Sequence, residues 1–379
     1  MKFQAKILSL LALAPLACGA PKADTAKPEP APAPAPAPVV KAPVKPIPDG
    51  FFVLTPQITV KGVDAAVEFY GKAFGAQKVY VMAGPDGKTM HAEIKIGDSV
   101  VMIEEENLEH GAKGPLTLGG SPASLMVYSP NADQMAATAV AAGAKLEMPV
   151  ADMFWGDRYG ALVDPFGQKW AVGTHVEDLT PEQMKERSAL LFPAKPKKGK
   201  AKEPKPGQEP WRKVVGTPTK TPVPTGYHTV TPAIVVANAT QAIEFYKTAF
   251  GASESEGRML MPDGRVMHAE LVFGDSKLMI SDAFPEHGGK SATDLGGSPV
   301  ALHFYTPDAD AVFTKVTGAG AKQIMPLTDM FWGDRYGAAI DPSGFQWGVA
   351  THVEDVNPAD MPARMKKQFE AQQPKVASR

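Results

Sequence analysis

The sequence predicts an α+β fold of two tandem domains, each made of two strand–helix–three-strand (βαβββ) units, behind an export signal and an extended tether. Three observations predict it. The chain repeats itself at a nearly constant offset; strand-like and helix-like hydrophobic patterns alternate in the same order in each copy; and Gly-, Asp- and Pro-containing turns separate the strands. The repeat is plain to read. "FYGKAFGA" (Phe69–Ala76) returns as "FYKTAFGA" (Phe245–Ala252), and "MHAEIKIGDS" (Met90–Ser99) as "MHAELVFGDS" (Met267–Ser276). "DMFWGDRYGA" (Asp152–Ala161) recurs unchanged at Asp329–Ala338, "LGGSP" begins at Leu118 and again at Leu295, and "THVED" begins at Thr174 and Thr351.

The elements of the first copy follow in order. Gln57–Val60 reads as a short strand, and Asp64 is placed to cap a helix with Val67, Phe69, Tyr70, Ala73 and Phe74 on its apolar face and Gly75 as its stop. "GPDGK" from Gly84 and "IGDS" from Ile96 are hairpin turns between three strands. Strand Ser124–Ser129 leads to a helix capped by Asn131, with Gln134 three residues on. A strand near Lys145–Met148 follows, and Asp164-Pro165-Phe166-Gly167 suits a type I turn in the last hairpin. Thr180 caps a terminal helix with Pro181 at its first position.

Composition sets the surroundings. A chain of 379 residues has room for two domains with their own cores, and its net charge of −2 argues against nucleic acid or a membrane surface as a partner. Met1–Ala17 carries Lys2 and Lys6, an apolar run from Ile7 to Leu16 and then small residues, the pattern of a secretory signal too short to span a bilayer. Cys18, the only cysteine, stands where the signal ends and looks like the lipidated residue of a bacterial lipoprotein, although Pro15 departs from the aliphatic residue preferred there. A lone cysteine forms no disulfide within the chain. Residues 1–18 are therefore read as signal and lipidation site, 19–50 as a Pro/Ala-rich tether, and 51–192 as the first domain with its terminal helix. Residues 193–225 form a Lys/Pro-rich linker and 226–379 the second domain with a C-terminal helix. The expected location is the bacterial cell envelope, exported and held to the membrane only through a lipid anchor.

Taken together, "FYxxAFGA", "MHAE", "FWGDRYG", "DPFG" and "THVED" resemble the vicinal oxygen chelate (glyoxalase/bleomycin-resistance/dioxygenase) superfamily, nearest its PhnB-like branch, over roughly residues 55–180 and 229–357. The resemblance implies that each domain curls its two four-stranded sheets into a cup around a small-molecule site, and that the domains pair with each other or with another chain. It also places the family's metal ligands at Thr55, Met102, Ser124 and Ala171, and in the second copy at Thr231, Met279, Ala301 and Gly348. None of these is the imidazole or carboxylate that a divalent cation wants. No cofactor is expected, with a divalent metal in a non-standard site left as the alternative.

The Gly97-Asp98 turn pairs Ile96 with Ser99, which puts His91, Glu93, Met102 and Glu104 on one face of the hairpin and Ala92, Ile94, Ile96, Val101 and Ile103 on the other. The apolar face must pack on helices, so His91 and Glu93 enter the cup, as do His268 and Glu270. These four are the candidate catalytic acid–base residues, with a structural His–Glu pair as the alternative. Ligand contacts are expected from Glu104, and from His175 and His352 at the end of a strand whose Ala171 and Gly173 leave room. The repeated loop adds Trp155, Arg158 and Tyr159, and in the second copy Trp332, Arg335 and Tyr336; Arg158 can equally clamp Asp157 or Asp164. His228 and His303 lack counterparts in the other copy and are given no shared role. The leading functional reading is an envelope-anchored binder of a small molecule, without the family's usual metal ligands. The alternatives are a lyase or isomerase working through the His/Glu residues or an unorthodox metal site, and an interaction module whose cups are filled by its own side chains.

Overall fold

The computed structural model describes residues 44–84, 87–191, 207–255 and 257–372. The expected signal, Cys18, most of the expected tether and the first part of the linker lie outside the described residues. The first unit of copy one is β1 (Leu54–Val60), α1 (Val63–Phe74), β2 (Gln77–Ala83), β3 (Thr89–Ile96) and β4 (Ser99–Glu105), followed by the single turn α2 (Pro115–Leu118). Its second unit is β5 (Ala123–Tyr128), α3 (Ala132–Ala142), β6 (Lys145–Asp152), β7 (Asp157–Val163) and β8 (Lys169–His175). The two-residue β9 (Glu177–Asp178), which pairs with β10 (Thr217–Pro218), and the helix α4 (Pro181–Leu191) complete this part. Copy two repeats the plan with β11 (Val230–Val236), α5 (Ala239–Phe250), the short β12 (Ser253–Glu254) and β13 (Met259–Leu260), β14 (Val266–Phe273) and β15 (Ser276–Asp282). After α6 (Ala292–Leu295) come β16 (Val300–Tyr305), α7 (Ala309–Gly318), β17 (Lys322–Asp329), β18 (Asp334–Ile340), β19 (Gln346–His352) and α8 (Met361–Gln372). The α+β plan and the two βαβββ units per copy are those the sequence predicts.

Local signals account for most of the helix ends. The Asn131 side chain accepts from the Gln134 amide at 3.0 Å, and Thr180 and Gln183 cap each other reciprocally at 2.9 and 3.2 Å. The start of α1 differs from the expectation. The helix begins at Val63 with Gly62 at the cap position, so Asp64 lies two residues too far in to cap it and accepts the Thr89 hydroxyl at 2.6 Å instead. The free amides of Gly62 and Val63 are taken, each at 2.9 Å, by Glu105 at the end of β4, a carboxylate placed where the helix dipole favours it. Asp282, the counterpart of Glu105, holds the Ala239 amide at 2.6 Å.

The two units of a copy do not share a sheet. One sheet runs β17-β18-β19-β16-β1-β4-β3-β2 and the other β12-β14-β15-β11-β5-β8-β7-β6. They join across copies by antiparallel pairing of first strands, Thr55 opposite His303 in one and Thr231 opposite Met126 in the other. Pairing satisfies the backbone edges that each four-stranded unit would otherwise expose. The helices, by contrast, stay with their own copy, α1 against α3 and α5 against α7. Each helix layer buries a repeated aromatic cluster, in which Phe74 lies 4.7 Å from Trp170 and Phe250 lies 4.3 Å from Trp347. The "GDS" hairpin tips add a cross-copy tie that their sequence signal as turns did not reveal. Asp98 and Ser99 accept from the Thr229 and Val230 amides at 2.8 and 3.0 Å, while Asp275 and Ser276 accept from Val53 and Leu54 at 3.0 and 3.1 Å. Gly97 and Gly274 have positive φ, and a Cβ at either would overlap the Thr229 or Val53 side chain it packs on.

Candidate functional site

The sheet faces turned away from the helices form two concave surfaces. The first cup combines β1–β4 with β16–β19, and the second combines β5–β8 with β11, β14 and β15. The hairpin register is the expected one, with His91 opposite Glu104, Glu93 opposite Met102 and Ile96 opposite Ser99. The first cup therefore gathers His91, Glu93 and Glu104 with Gln57 from β1 and with residues of copy two.

In this cup His91 Nε2 lies 3.7 Å from Glu93 Oε1, and both side chains are about one-fifth exposed, at 17% and 21%. Gln57 donates to Glu104 at 2.7 Å; burial pushes the Glu104 carboxyl up, with His91 opposing. His303 comes from β16, on the same face as Ala301 and Tyr305. Its ring lies 4.5 Å from that of Tyr305 and 5.3 Å from that of Tyr336, and it is 6% exposed. Burial pushes its pKa down to about 4 against the pull of Asp334, so the ring is neutral at pH 7. Its Nε2 is buried and has no hydrogen-bond partner among the described residues. Comparing the copies hid this residue, because Met126 stands at the matched position; strand alternation with Ala301 would have found it.

The room expected beside the small residues of the last strands is occupied. Tyr336 lies against Gly348, where an added Cβ would come within 2.6 Å of the ring, and Met126 lies against Gly173. The second cup is closed further by its own charges. Glu270 accepts from Lys277 Nζ at 2.8 Å, from the Ser255 hydroxyl at 3.0 Å and from the Tyr227 hydroxyl, with His268 Nε2 at 3.4 Å. Burial works to raise the Glu270 carboxyl, but the bonds from His268, Lys277 and Tyr227 outweigh it and hold the group far below the usual range. Lys277 also sits 4.1 Å from the centroid of the Tyr227 ring.

The repeated loop forms a knot at the rim. Asp157, buried, accepts from Tyr128 at 3.1 Å and Trp155 at 3.2 Å and pairs with His175 Nδ1 at 2.8 Å, while His175 Nε2 meets Asp178 at 3.0 Å. Copy two repeats this, with Asp334 bound by Tyr305 and Trp332 at 3.1 Å each and by His352 at 2.7 Å, and His352 bound to Asp355 at 3.0 Å. Both nitrogens of each histidine are thus committed to carboxylates of the same rim. Gly156 and Gly333 have φ of 99° and 101°, and a Cβ on either would strike the carbonyl oxygen of Glu177 or Glu354. Tyr159 packs edge-on against Trp155 at 5.5 Å and borders the second cup beside Met126 and Tyr128. Arg158 reaches neither Asp157 nor Asp164. It forks onto Asp133 in the first turn of α3 and bonds Asp152 at 3.0 Å, as Arg335 does with Asp310 and with Asp329 at 3.2 Å. The turn at Asp164 is held instead by Tyr70 and Trp170.

Hydrogen bonds to Asp157 and Asp334 raise the pKa of His175 and His352. A raised folded pKa contributes stability that is complete below the unfolded value of about 6.5 and is lost as pH rises through the folded value. Thermal stability is therefore expected to fall as pH rises above about 6.5, and the His175→Gln/His352→Gln double variant to lose most of that slope. Calorimetry across this range checks it, and an unchanged slope in the variant would refute it.

The positions that the resemblance assigns to metal ligands collect as Thr55, Met102, Ala301 and Gly348 in the first cup and Thr231, Met279, Ser124 and Ala171 in the second. This donor set does not fit a divalent ion, and among the described residues no group of three His, Cys, Asp or Glu side chains is arranged to hold one. Two shallow cavities of about 380 and 340 Å³ lie among loops near Leu116 and Lys290 and on α3 near Val140; neither is lined by the cup residues named above.

The sequence matches the family described as the Glyoxalase/Bleomycin resistance protein/Dioxygenase superfamily over residues 53–172 and 227–349. An uncharacterized protein of Mycobacterium bovis is 42% identical over 142 residues, which span 37% of this chain and 93% of that protein. A second, from Mycobacterium tuberculosis, is also 42% identical over 142 residues, 37% of this chain and 83% of its own length. Among solved structures, glyoxalase I from Zea mays is similar at 14% identity and a TM-score of 0.47, covering 84% of this chain and 95% of that one.

Proposed function

Because the chain belongs to the Glyoxalase/Bleomycin resistance protein/Dioxygenase superfamily, we propose that its first cup binds a small molecule without the divalent metal of the family, while its second cup is closed by its own side chains. The observation that carries this reading is the His303 ring, buried with an unpartnered Nε2 beside the partly exposed His91 and Glu93. A buried nitrogen left unsatisfied costs about 1–3 kcal/mol, and a polar ligand atom would recover it. The second cup lacks this feature, since Met126 replaces His303 and Glu270 is saturated by Lys277, Tyr227 and Ser255. The export signal and Cys18 support an exported protein anchored by lipid to the cell envelope.

A small-molecule library screened by NMR is expected to yield binders that shift the His303 ring signals and weaken about tenfold or more in His303→Phe, the equivalent of one lost hydrogen bond in a buried site. Met126→Phe, in the second cup, should leave them unchanged. Binders indifferent to His303→Phe would remove the site from this cup. Stoichiometric metal in the purified protein that disappears in His91→Ala would sink the metal-free reading. Cys18→Ser is expected to release the protein from membranes, and retention there would refute the anchor.

A further inference from the structure

The two cups are copies of one design, so their differences carry information. At matched positions the second cup has Tyr227, Lys277 and Met126 where the first has Phe51, Val100 and His303. In the second cup the Lys277 ammonium occupies a defined place, 2.8 Å from Glu270 and 4.1 Å from the centroid of the Tyr227 ring. The walls of that place are present in the first cup. Glu93 lies opposite Met102 as Glu270 lies opposite Met279. Phe51 packs edge-on against Tyr305 at 5.7 Å and 68°, as Tyr227 packs against Tyr128 at 5.7 Å and 69°. What the first cup lacks at this place, among the described residues, is the cation, because Val100 replaces the lysine. Lys95 stands on the same face two residues from Glu93, but no ion pair joins it to Glu93.

We propose that the first cup takes an aliphatic amine, with its ammonium group between Glu93 and the face of Phe51 and a second polar group on His303 Nε2. The proposal rests on the reading of this cup as the binding site. A carboxylate and an aromatic face are both attractive to an ammonium group, and their effect is strengthened where water is partly excluded. The second cup satisfies the same need from within its own chain, whereas the first leaves it to a ligand. His303, with its free nitrogen buried at the floor, favours a molecule longer than the ammonium group alone.

The test uses n-butylamine, which reproduces the lysine side chain and is charged at pH 7, beside 1-butanol and butyrate as its neutral and anionic counterparts. Each is titrated into the full chain and read from the ring signals of His303 and Phe51. The amine is expected to bind about tenfold or more tightly than either counterpart, since a charge-assisted bond is roughly twice as strong as a neutral one. Glu93→Gln, which preserves shape, should abolish the preference, and Lys95→Met should preserve it. Val100→Lys should exclude the amine by supplying the missing cation; its melting temperature checks that it folds, and Glu93→Gln stands in for it otherwise. Equal binding of amine and alcohol would overturn the ammonium assignment and leave the cup as a binding site, as would tighter binding of butyrate that is lost in Lys95→Met. Failure of all three probes to perturb the cup signals would overturn the binding-site reading as well.

Discussion

Asp164→Ala is expected to destabilise the protein by about 3–5 kcal/mol, and Asp341→Ala by a similar amount. Asp164 is 5% exposed and accepts four hydrogen bonds: from the Tyr70 hydroxyl at 2.8 Å and, each at 2.9 Å, from the Trp170 indole and the amides of Phe166 and Gln168. Burial pushes the carboxyl up while these donors pull it down. Alanine strands all four donors, each at a cost of about 1–3 kcal/mol that is only partly additive. Asp341 repeats the arrangement with Tyr246 at 2.6 Å, Trp347 at 2.9 Å and the Ser343 and Phe345 amides at 2.8 and 2.9 Å. The position matters beyond its own bonds. Tyr70 lies on α1, whose strands belong to one sheet, and Asp164 follows β7, which belongs to the other. This contact is therefore a tie between the two sheets, and its loss should speed unfolding of the whole assembly. Urea denaturation of the single variants measures the effect, with Tyr70→Phe expected near 1 kcal/mol as the loss of one bond. A change below about 1 kcal/mol in Asp164→Ala would refute the argument.

The same residues show where sequence reading reached and where it stopped. Local chemistry was legible: the two-residue turn at Gly97-Asp98 set the register that placed His91 and Glu93 in a cup, and Asn131 and Thr180 cap their helices as their spacing implies. Contacts made at long range were not. Glu105 caps α1 from more than forty residues away, and Arg158 finds Asp133 on a helix rather than the turn beside it. The exchange of units between sheets also escaped, because every strand of one copy carries the pattern that suits its equivalent in the other. Duplication was the best guide to the rim knot around Asp157 and Asp334 and the worst guide to the site. A comparison that rewards identity sets aside His303, although that residue distinguishes the cups. Small residues misled in a different way, since Gly173 signals space that Met126 then fills, as Tyr336 fills the place beside Gly348.

Lys277→Met should cost about 2–4 kcal/mol at pH 7, whereas Val100→Met, at the matched place in the first cup, should cost no more than about 1–3 kcal/mol through repacking alone. The lysine variant removes the cation from a carboxylate whose side chain is 22% exposed, and leaves it Tyr227, Ser255 and His268 as hydrogen-bond partners. The pH dependence has a definite sign. Glu270 is depressed in the folded state, so its contribution is present above the unfolded value of about 4.5 and is lost as pH falls towards the lower folded value. Without Lys277 the depression shrinks, and the loss of stability on the acid side should be smaller in the variant than in the parent. Denaturant titrations on either side of about pH 4.5 test this; parallel profiles would refute it. If the lysine is the internal occupant of an ammonium site, n-butylamine should stabilise Lys277→Ala, which vacates the place of the side chain, more than the parent chain, because a ligand that binds only the folded state adds stability in proportion to its occupancy. A stabilisation equal in the two proteins would mean that the second cup, once emptied, does not retain the site that its lysine fills.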